Sequence, residues 1–199
     1  MDVLGANLLV PILISLYGPA GGGQFALVQR VLAVPTTLIA ASVADSFHSR
    51  FAIHARENPG QMLPLFKRTS LVLMAAGLPP ALLLIFAGNR LFALAFGASW
   101  SAAGTLAAIA TPFFLGQMIV SPLSRLVLVL RGQRFKLIYD VVVLSGIVTV
   151  FRVASSRGFT LTQTVWAFTI VNTMAYLLYY LVLVRIVVTG SGRNNVCAA

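Results

Sequence analysis

Charge is what this chain has least of. Only 9% of its 199 residues are charged, and four of these are acidic against fourteen basic. Soluble domains carry about 25% charge, so a water-facing globule this poor in charged groups lacks the means to cover its own surface. A soluble enzyme is excluded. The single cysteine, Cys197, sits in the tail, which excludes an intrachain disulfide and a thiolate metal site. The two histidines, His48 and His54, are six apart and fall on opposite sides of a helix, with no carboxylate or cysteine set to complete a metal site. There is no GxSxG, no phosphate loop and no paired acidic motif of the glycosyltransferase kind. The sequence therefore reads as non-enzymatic, with no catalytic residue, no metal and no cofactor.

What the chain does have is apolar length. Hydrophobic residues make up 59%, the mean hydropathy is +0.94 and the net charge is +10. Bases gathered on one polar face would point to nucleic acid. Here they stand singly or in pairs between long apolar runs, so the charge reads as membrane topology and nucleic acid is not an expected partner. Asp2 follows Met1 directly, without the basic region and cleavage site of a signal peptide, so insertion is expected from the spans themselves.

From charge to charge, Val3–Gln29 is 27 residues, Thr69–Asn89 is 21, Leu91–Ser124 is 34 and Gly158–Val184 is 27. Crossing the hydrocarbon core takes roughly 20 apolar residues as a helix. The runs are apolar on all sides, which favours helices over the alternating strands of a barrel. Gly18-Pro19-Ala20-Gly21-Gly22-Gly23 reads as a flexible break that no regular helix tolerates, and Gly97-Ala98-Ser99-Trp100 as a second divider. The expected fold is all-α: a polytopic membrane protein with about six transmembrane helices, five being the alternative. The spans fall at about 3–17, 24–46, 69–88, 103–130, 137–154 and 162–184, forming one lobe over 1–188, with a tail at 189–199. Pro35, Pro79-Pro80, Pro112 and Pro122 lie inside spans and predict kinks.

Six spans place both termini on one side, with Arg50, Arg56, Lys67, Arg68, Arg131, Arg134, Lys136, Arg185 and Arg193. The opposite side holds Arg90 and Arg157. The positive-inside rule makes the nine-base side, and so both termini, cytoplasmic. Residues 47–68 form the one long loop. Phe47 and Phe51 share one face there while Arg50, His54 and Glu57 share another, which fits an interfacial amphipathic helix ended by Asn58-Pro59-Gly60, or a solvated loop over the rim. Trp100, Trp166, Tyr17 and the Tyr176/Tyr179/Tyr180 group are candidate belt aromatics, with Tyr179 and Tyr180 fitting best.

Ionisable residues inside spans are the candidate functional positions, because charge in a bilayer is costly. Arg30 lies seven residues past Gly23, roughly 10 Å below the outer surface at 1.5 Å per residue, with Gln29 beside it. A guanidinium there can take a phosphate oxygen in bidentate fashion, snorkel to the head groups, or pair with a carbonyl. Arg125 sits six residues inside the cytoplasmic end of the fourth span, where snorkelling is the simpler account, and Arg152 lies within the fifth span together with Asp140. Asp140 is one turn beyond Lys136, fit for an intrahelical pair, for a pair with Arg125 or Arg131, or for carrying a coupling proton. Asp45 reads as a rim residue. Gln117 is a further polar neutral residue, and Thr169, Asn172 and Thr173 share one side of the sixth span as interhelical glue.

Several segments together resemble a known family. They are Tyr17-Gly18, then Gly23-Gln24-Phe25-Ala26-Leu27-Val28-Gln29-Arg30-Val31-Leu32-Ala33-Val34-Pro35, then Phe47 with the basic stretch after it. Phe96-Gly97-Ala98-Ser99-Trp100-Ser101-Ala102-Ala103-Gly104 and Ser121-Pro122-Leu123-Ser124 extend the pattern. In their order and spacing, over about residues 1–185, they resemble bacterial polysaccharide and O-antigen flippases of the multidrug/oligosaccharidyl-lipid/polysaccharide exporter superfamily. The resemblance implies the C-terminal lobe of a two-lobe exporter fold, one half of its usual size and therefore a truncated or half-size member. It implies translocation of undecaprenyl-pyrophosphate-linked oligosaccharide across the bacterial inner membrane by alternating access, with Arg30, Gln29 and Arg125 contacting substrate. The implied partners are that lipid-linked oligosaccharide, membrane lipids, and a second lobe or another copy of the chain. A drug or small-solute exporter of the same superfamily, and a non-transporting remnant or assembly subunit, are the alternatives.

Overall fold

The computed structural model describes residues 2–129 and 133–196, with side chains at 9–127 and 137–189. Among the described residues there is no strand. The elements are α1 (Asp2–Glu57), α2 (Met62–Phe96), α3 (Ser101–Leu123), a short α4 (Leu126–Val129), α5 (Gln133–Arg157) and α6 (Leu161–Val196). Residues this apolar leave the main chain no water to bond, and the helix satisfies each N–H and C=O within its own segment. Five described helices are long and apolar enough to cross a membrane: Leu9–Glu57, Pro59–Phe96, Ala98–Leu123, Leu137–Arg157 and Leu161–Thr189.

The first of these is not a straight rod. Gly18 adopts φ 76° and ψ 174°, a conformation that glycine reaches without strain. Pro19 follows, where a missing N–H costs a restarting helix nothing. The chain folds back at this point. A Cβ on Gly22 would meet the Ile14 main chain at 3.0 Å, whereas eight residues along a straight helix stand ~12 Å apart. Leu9, Leu13 and Phe25 close with Phe151, Val165 and Phe168 around one small gap. The Tyr17 hydroxyl meets Thr164 Oγ1 beside them. The expected six-residue break thus narrows to one residue, because Gly21–Gly23 are helical. Gly21 and Gly22 serve close packing there: a Cβ on Gly21 would meet Tyr17 Cβ at 3.1 Å and Leu161 Cδ2 at 3.3 Å.

The stretch expected as a long loop is also helical. α1 runs on to Glu57, the chain turns through Asn58 and a 3-10 turn at Pro59–Gln61, and α2 starts at Met62. Phe47 and Phe51 contact each other at 5.4 Å between ring centres. With Met62 and Phe66 they are buried. The solvated loop therefore does not form: the stretch is an amphipathic helix that ends at Asn58-Pro59-Gly60, with Phe47 and Phe51 buried and Arg50 and Glu57 exposed.

α3 is the centre of the lobe. α1, α2 and α6 pack on it, α5 packs on α6, and α1 and α2 barely touch each other. The α2–α3 crossing rests on two glycines. A Cβ on Gly88 would lie 2.7 Å from the Gly104 carbonyl oxygen, and one on Gly104 would lie 2.6 Å from Asn89 Cα. Small residues at a crossing let two backbones approach until dispersion holds them, which is how helices associate where water supplies no drive. On the other side of α3, Phe113 meets Phe168 edge-on at 5.2 Å, and Gly116 lies against Tyr176. Tyr139 stacks on Tyr179 at 4.2 Å. Tyr180 donates to Ser70 Oγ at 3.3 Å beside Phe66. Tyr176, Tyr179 and Tyr180, expected in an interfacial belt, instead join helices within the lobe, and Tyr176 and Tyr179 are buried. Trp166 remains half-exposed.

Gly104→Ala is expected to force α2 and α3 apart at an overpacking cost of about 1–3 kcal/mol. Gly23→Ala, whose Cβ meets nothing within 4 Å, is expected to hold or raise stability. Thermal unfolding of both variants followed by helical circular dichroism checks this; equal losses at the two positions would contradict the close crossing.

Candidate functional site

The outer surface of the lobe is uneven. α2 exposes Leu71, Leu83 and Phe86, α5 exposes Ile138 and Val142, and α6 exposes Ile170 and Leu178, all large and apolar. Two helices also carry exposed polar residues in a row: Ser145, Thr149, Arg152 and Ser156 on α5, and on α1 Arg30, Thr37, Ala41 and Asp45, with Val34 and Leu38 exposed among the latter. The α1 spacing of seven, four and four sets its row on one helical face, as a stripe ~22 Å long at 1.5 Å per residue. Around Pro35 two hydroxyls fold back onto the main chain, Thr36 onto the Leu32 carbonyl and Thr37 onto the Val34 carbonyl at 3.0 Å. Such bonds favour bending of a helix, and these two lie on residues that line a polar cavity.

Two cavities adjoin the stripe. One, of about 150 Å³, is lined by Thr36, Thr37, Ala44, Gln117, Ser121 and Arg125. The other, of about 180 Å³, lies between α1, α2 and α3 and is apolar, with Pro35, Ile39, Gly77, Pro80, Leu84 and Phe114 among its walls. Thr36 and Met118 line both, so the polar space and the apolar one adjoin.

Arg125 stands on the turn that ends α3. Ser124 Oγ donates to the Ser121 carbonyl at 2.7 Å, and the Arg125 main-chain N–H donates to the Pro122 carbonyl at 3.3 Å. A cation is favoured at this end of a helix, where the carbonyls point outward. Arg125 Nη1 donates to Asp45 Oδ1, forming an ion pair across 80 residues of sequence. Asp45, expected as a rim residue, is thus the carboxylate that neutralises Arg125. The two side chains are 41% and 78% exposed, so the strength of the pair depends on what surrounds it.

The remaining expected positions separate. Arg30 is exposed and Gln29 half-buried. Fifteen residues of α1 set Arg30 ~22 Å from Asp45 along the helix, so Arg30 and Arg125 mark opposite ends of the stripe and do not share one site. Asp140 is half-buried on α5. Two of its expected partners, Lys136 and Arg131, have side chains outside the described residues. Gln117 Oε1 is buried with no hydrogen-bond partner. On α6, Asn172 Nδ2 donates to the Phe168 carbonyl of its own helix at 2.8 Å, and the hydroxyls of Thr169 and Thr173 are buried without partners. The glue expected of these three is supplied instead by Tyr17 with Thr164 and by Tyr180 with Ser70. Thr36 and Thr37 escaped the sequence reading; each lies within two residues of Pro35, the signal that would have found them, while Ser121 enters it only as part of the Ser121–Ser124 segment. Among the described residues no three of His, Cys, Asp and Glu gather as metal ligands.

A double-mutant cycle with Asp45→Asn and Arg125→Gln is expected to return a coupling of about 1 kcal/mol or less in detergent, the usual range for solvent-reached pairs. A coupling of several kcal/mol in detergent would contradict the open position of the pair. No family model, no curated protein and no solved structure matches the chain.

Proposed function

We propose that this chain is one lobe of a bacterial inner-membrane exporter that moves undecaprenyl-pyrophosphate-linked oligosaccharide by alternating access. Two copies, or this lobe and a second one, rock about a shared cavity near the bilayer midplane. The observation that carries the reading is exposed Arg30 within an apolar helix, on a face of α1 that also exposes Thr37 and Asp45 and adjoins a polar cavity. A face of this kind is costly against lipid tails and useful against an aqueous passage. The substrate class comes from the resemblance of the segments around Gly23–Pro35, Phe96–Gly104 and Ser121–Ser124.

Counting the two arms of α1 separately gives six spans, the arm at 2–17 being ~24 Å long. Six spans with nine bases on one side set both termini in the cytoplasm. Arg30 then lies in the outer half of the membrane, where its planar fork suits a pyrophosphate and Gln29 adds a neutral polar neighbour. Arg125, balanced by Asp45, offers an anion less. The chain transports and catalyses no reaction in this reading.

Proteoliposomes carrying fluorescent lipid-linked oligosaccharide test it. Transport is expected to rise with the share of vesicles that hold two or more copies, and Arg30→Ala is expected to slow it about tenfold or more, the worth of a charge-assisted hydrogen bond. Movement no faster than in protein-free vesicles at every protein density contradicts transport by paired copies. An unchanged rate for Arg30→Ala removes Arg30 from the site.

A further inference from the structure

We infer that the two adjoining cavities hold one membrane phospholipid whose head group carries a primary ammonium, of the phosphatidylethanolamine kind. It needs only that the helices sit in a bilayer, so it stands or falls apart from transport. Four observations meet here.

The first is shape. The space is polar beside Arg125 and apolar beyond Thr36 and Met118. From Arg125 to Thr111, on the far wall, α3 climbs fourteen residues, or ~21 Å. Half of a ~30 Å hydrocarbon core with its head-group zone has about that depth. The lane therefore runs from a span end to mid-membrane, as a lipid in one leaflet does. The second is access. α3 forms the floor, α1 and α2 form walls that barely touch each other, and Pro35, Ile39, Ala76 and Pro80 are exposed along the opening. A chain can enter sideways from the bilayer. Each cavity is smaller than the ~300–1,000 Å³ of a drug-sized pocket, which suits one hydrocarbon chain better than a bulky solute.

The third is charge. Arg125 and Asp45 present a cation beside an anion, the complement of a head group with a phosphate beside an ammonium. The fourth is the surplus of acceptors. Gln117 Oε1 is buried without a donor. Pro122 deprives the carbonyl of Met118 of its in-helix N–H, and Met118 lines the polar cavity with Gln117. Acceptors without donors call for a ligand rich in N–H. A primary ammonium supplies three, while a choline head supplies none.

The test uses the full chain in phosphatidylcholine vesicles doped with phosphatidylethanolamine bearing a photoactivatable diazirine midway along one acyl chain. Labelled peptides are expected to map to residues 31–39, 76–84 and 111–118. Ala76→Phe, which fills the opening, is expected to abolish that labelling. Gln117→Leu is expected to weaken it about 3–10-fold, the worth of one hydrogen bond, and a choline-headed probe to label more weakly by a similar factor. If Ala76→Phe fails to fold, judged by helical circular dichroism, Gln117→Leu and the head-group exchange still decide. Equal labelling by both probes, or labelling spread over the outer faces of α2, α5 and α6 and indifferent to Gln117→Leu, would mean ordinary surrounding lipid and overturn the proposal.

Discussion

A main chain surrounded by hydrocarbon has only itself to bond with, and the rest of this structure follows from that constraint. It accounts for long helices joined by very short turns. It also decides where a helix may be interrupted. Gly18 reverses the chain at a single residue, and Asn58 with Pro59–Gln61 needs only one short turn before α2 begins. Prolines fall within α1, α2 and α3, and the carbonyl freed by Pro122 belongs to Met118, which lines the polar cavity. That interruption falls where something other than lipid tails can answer it.

The second consequence is that helices must associate without the drive that folds soluble cores. α3 meets α2 through Gly88 and Gly104 at backbone distance, and meets α6 through the aromatic rings of Phe113, Phe168 and Tyr176. Close contact on both sides makes α3 the most buried of the candidate spans. α1 and α2 then lean on α3 without closing on each other, which leaves the lane between them open. The outer faces of α2 and α6 are broadly apolar, while α1 and α5 each expose a row of polar residues among apolar ones. The proposed passage and the proposed lipid lane both owe their position to α1 packing mainly on α3.

Much of the helical architecture was legible in the sequence because apolar run length is a strong and local signal. The turns were legible in place but not in extent. Six consecutive small or turn-forming residues read as flexible, yet Gly21 and Gly22 are needed as small residues against Tyr17, Leu161 and Ile14, a tertiary reason that no local pattern carries. Residues 47–68 left an amphipathic helix and a solvated loop both open, because their bases and Asn-Pro-Gly compete with the Phe47/Phe51 spacing, and the burial of those two rings together with Met62 and Phe66 is a tertiary fact. The tyrosines of α6 read as belt residues from their type, but Tyr139 and Ser70 lie far off in sequence and set their actual role. The site was legible only in pieces. Arg30 and Arg125 stood out as charges within spans; the pairing of Arg125 with Asp45 spans 80 residues, and one sequence holds no record of it.

The central claim is that one face of α1 meets an aqueous or protein-lined space while the apolar outer faces of α2, α5 and α6 meet lipid. Spin labels placed singly on a Cys197→Ser background test it in vesicles, with oxygen as the lipid-soluble relaxant and a nickel chelate as the water-soluble one. Labels at positions 30, 37 and 41 are expected to respond to the nickel chelate, and labels at 83, 86, 142 and 178 to oxygen. Oxygen dominance at 30, 37 and 41, equal to that at the apolar positions, would place α1 against lipid and contradict the account.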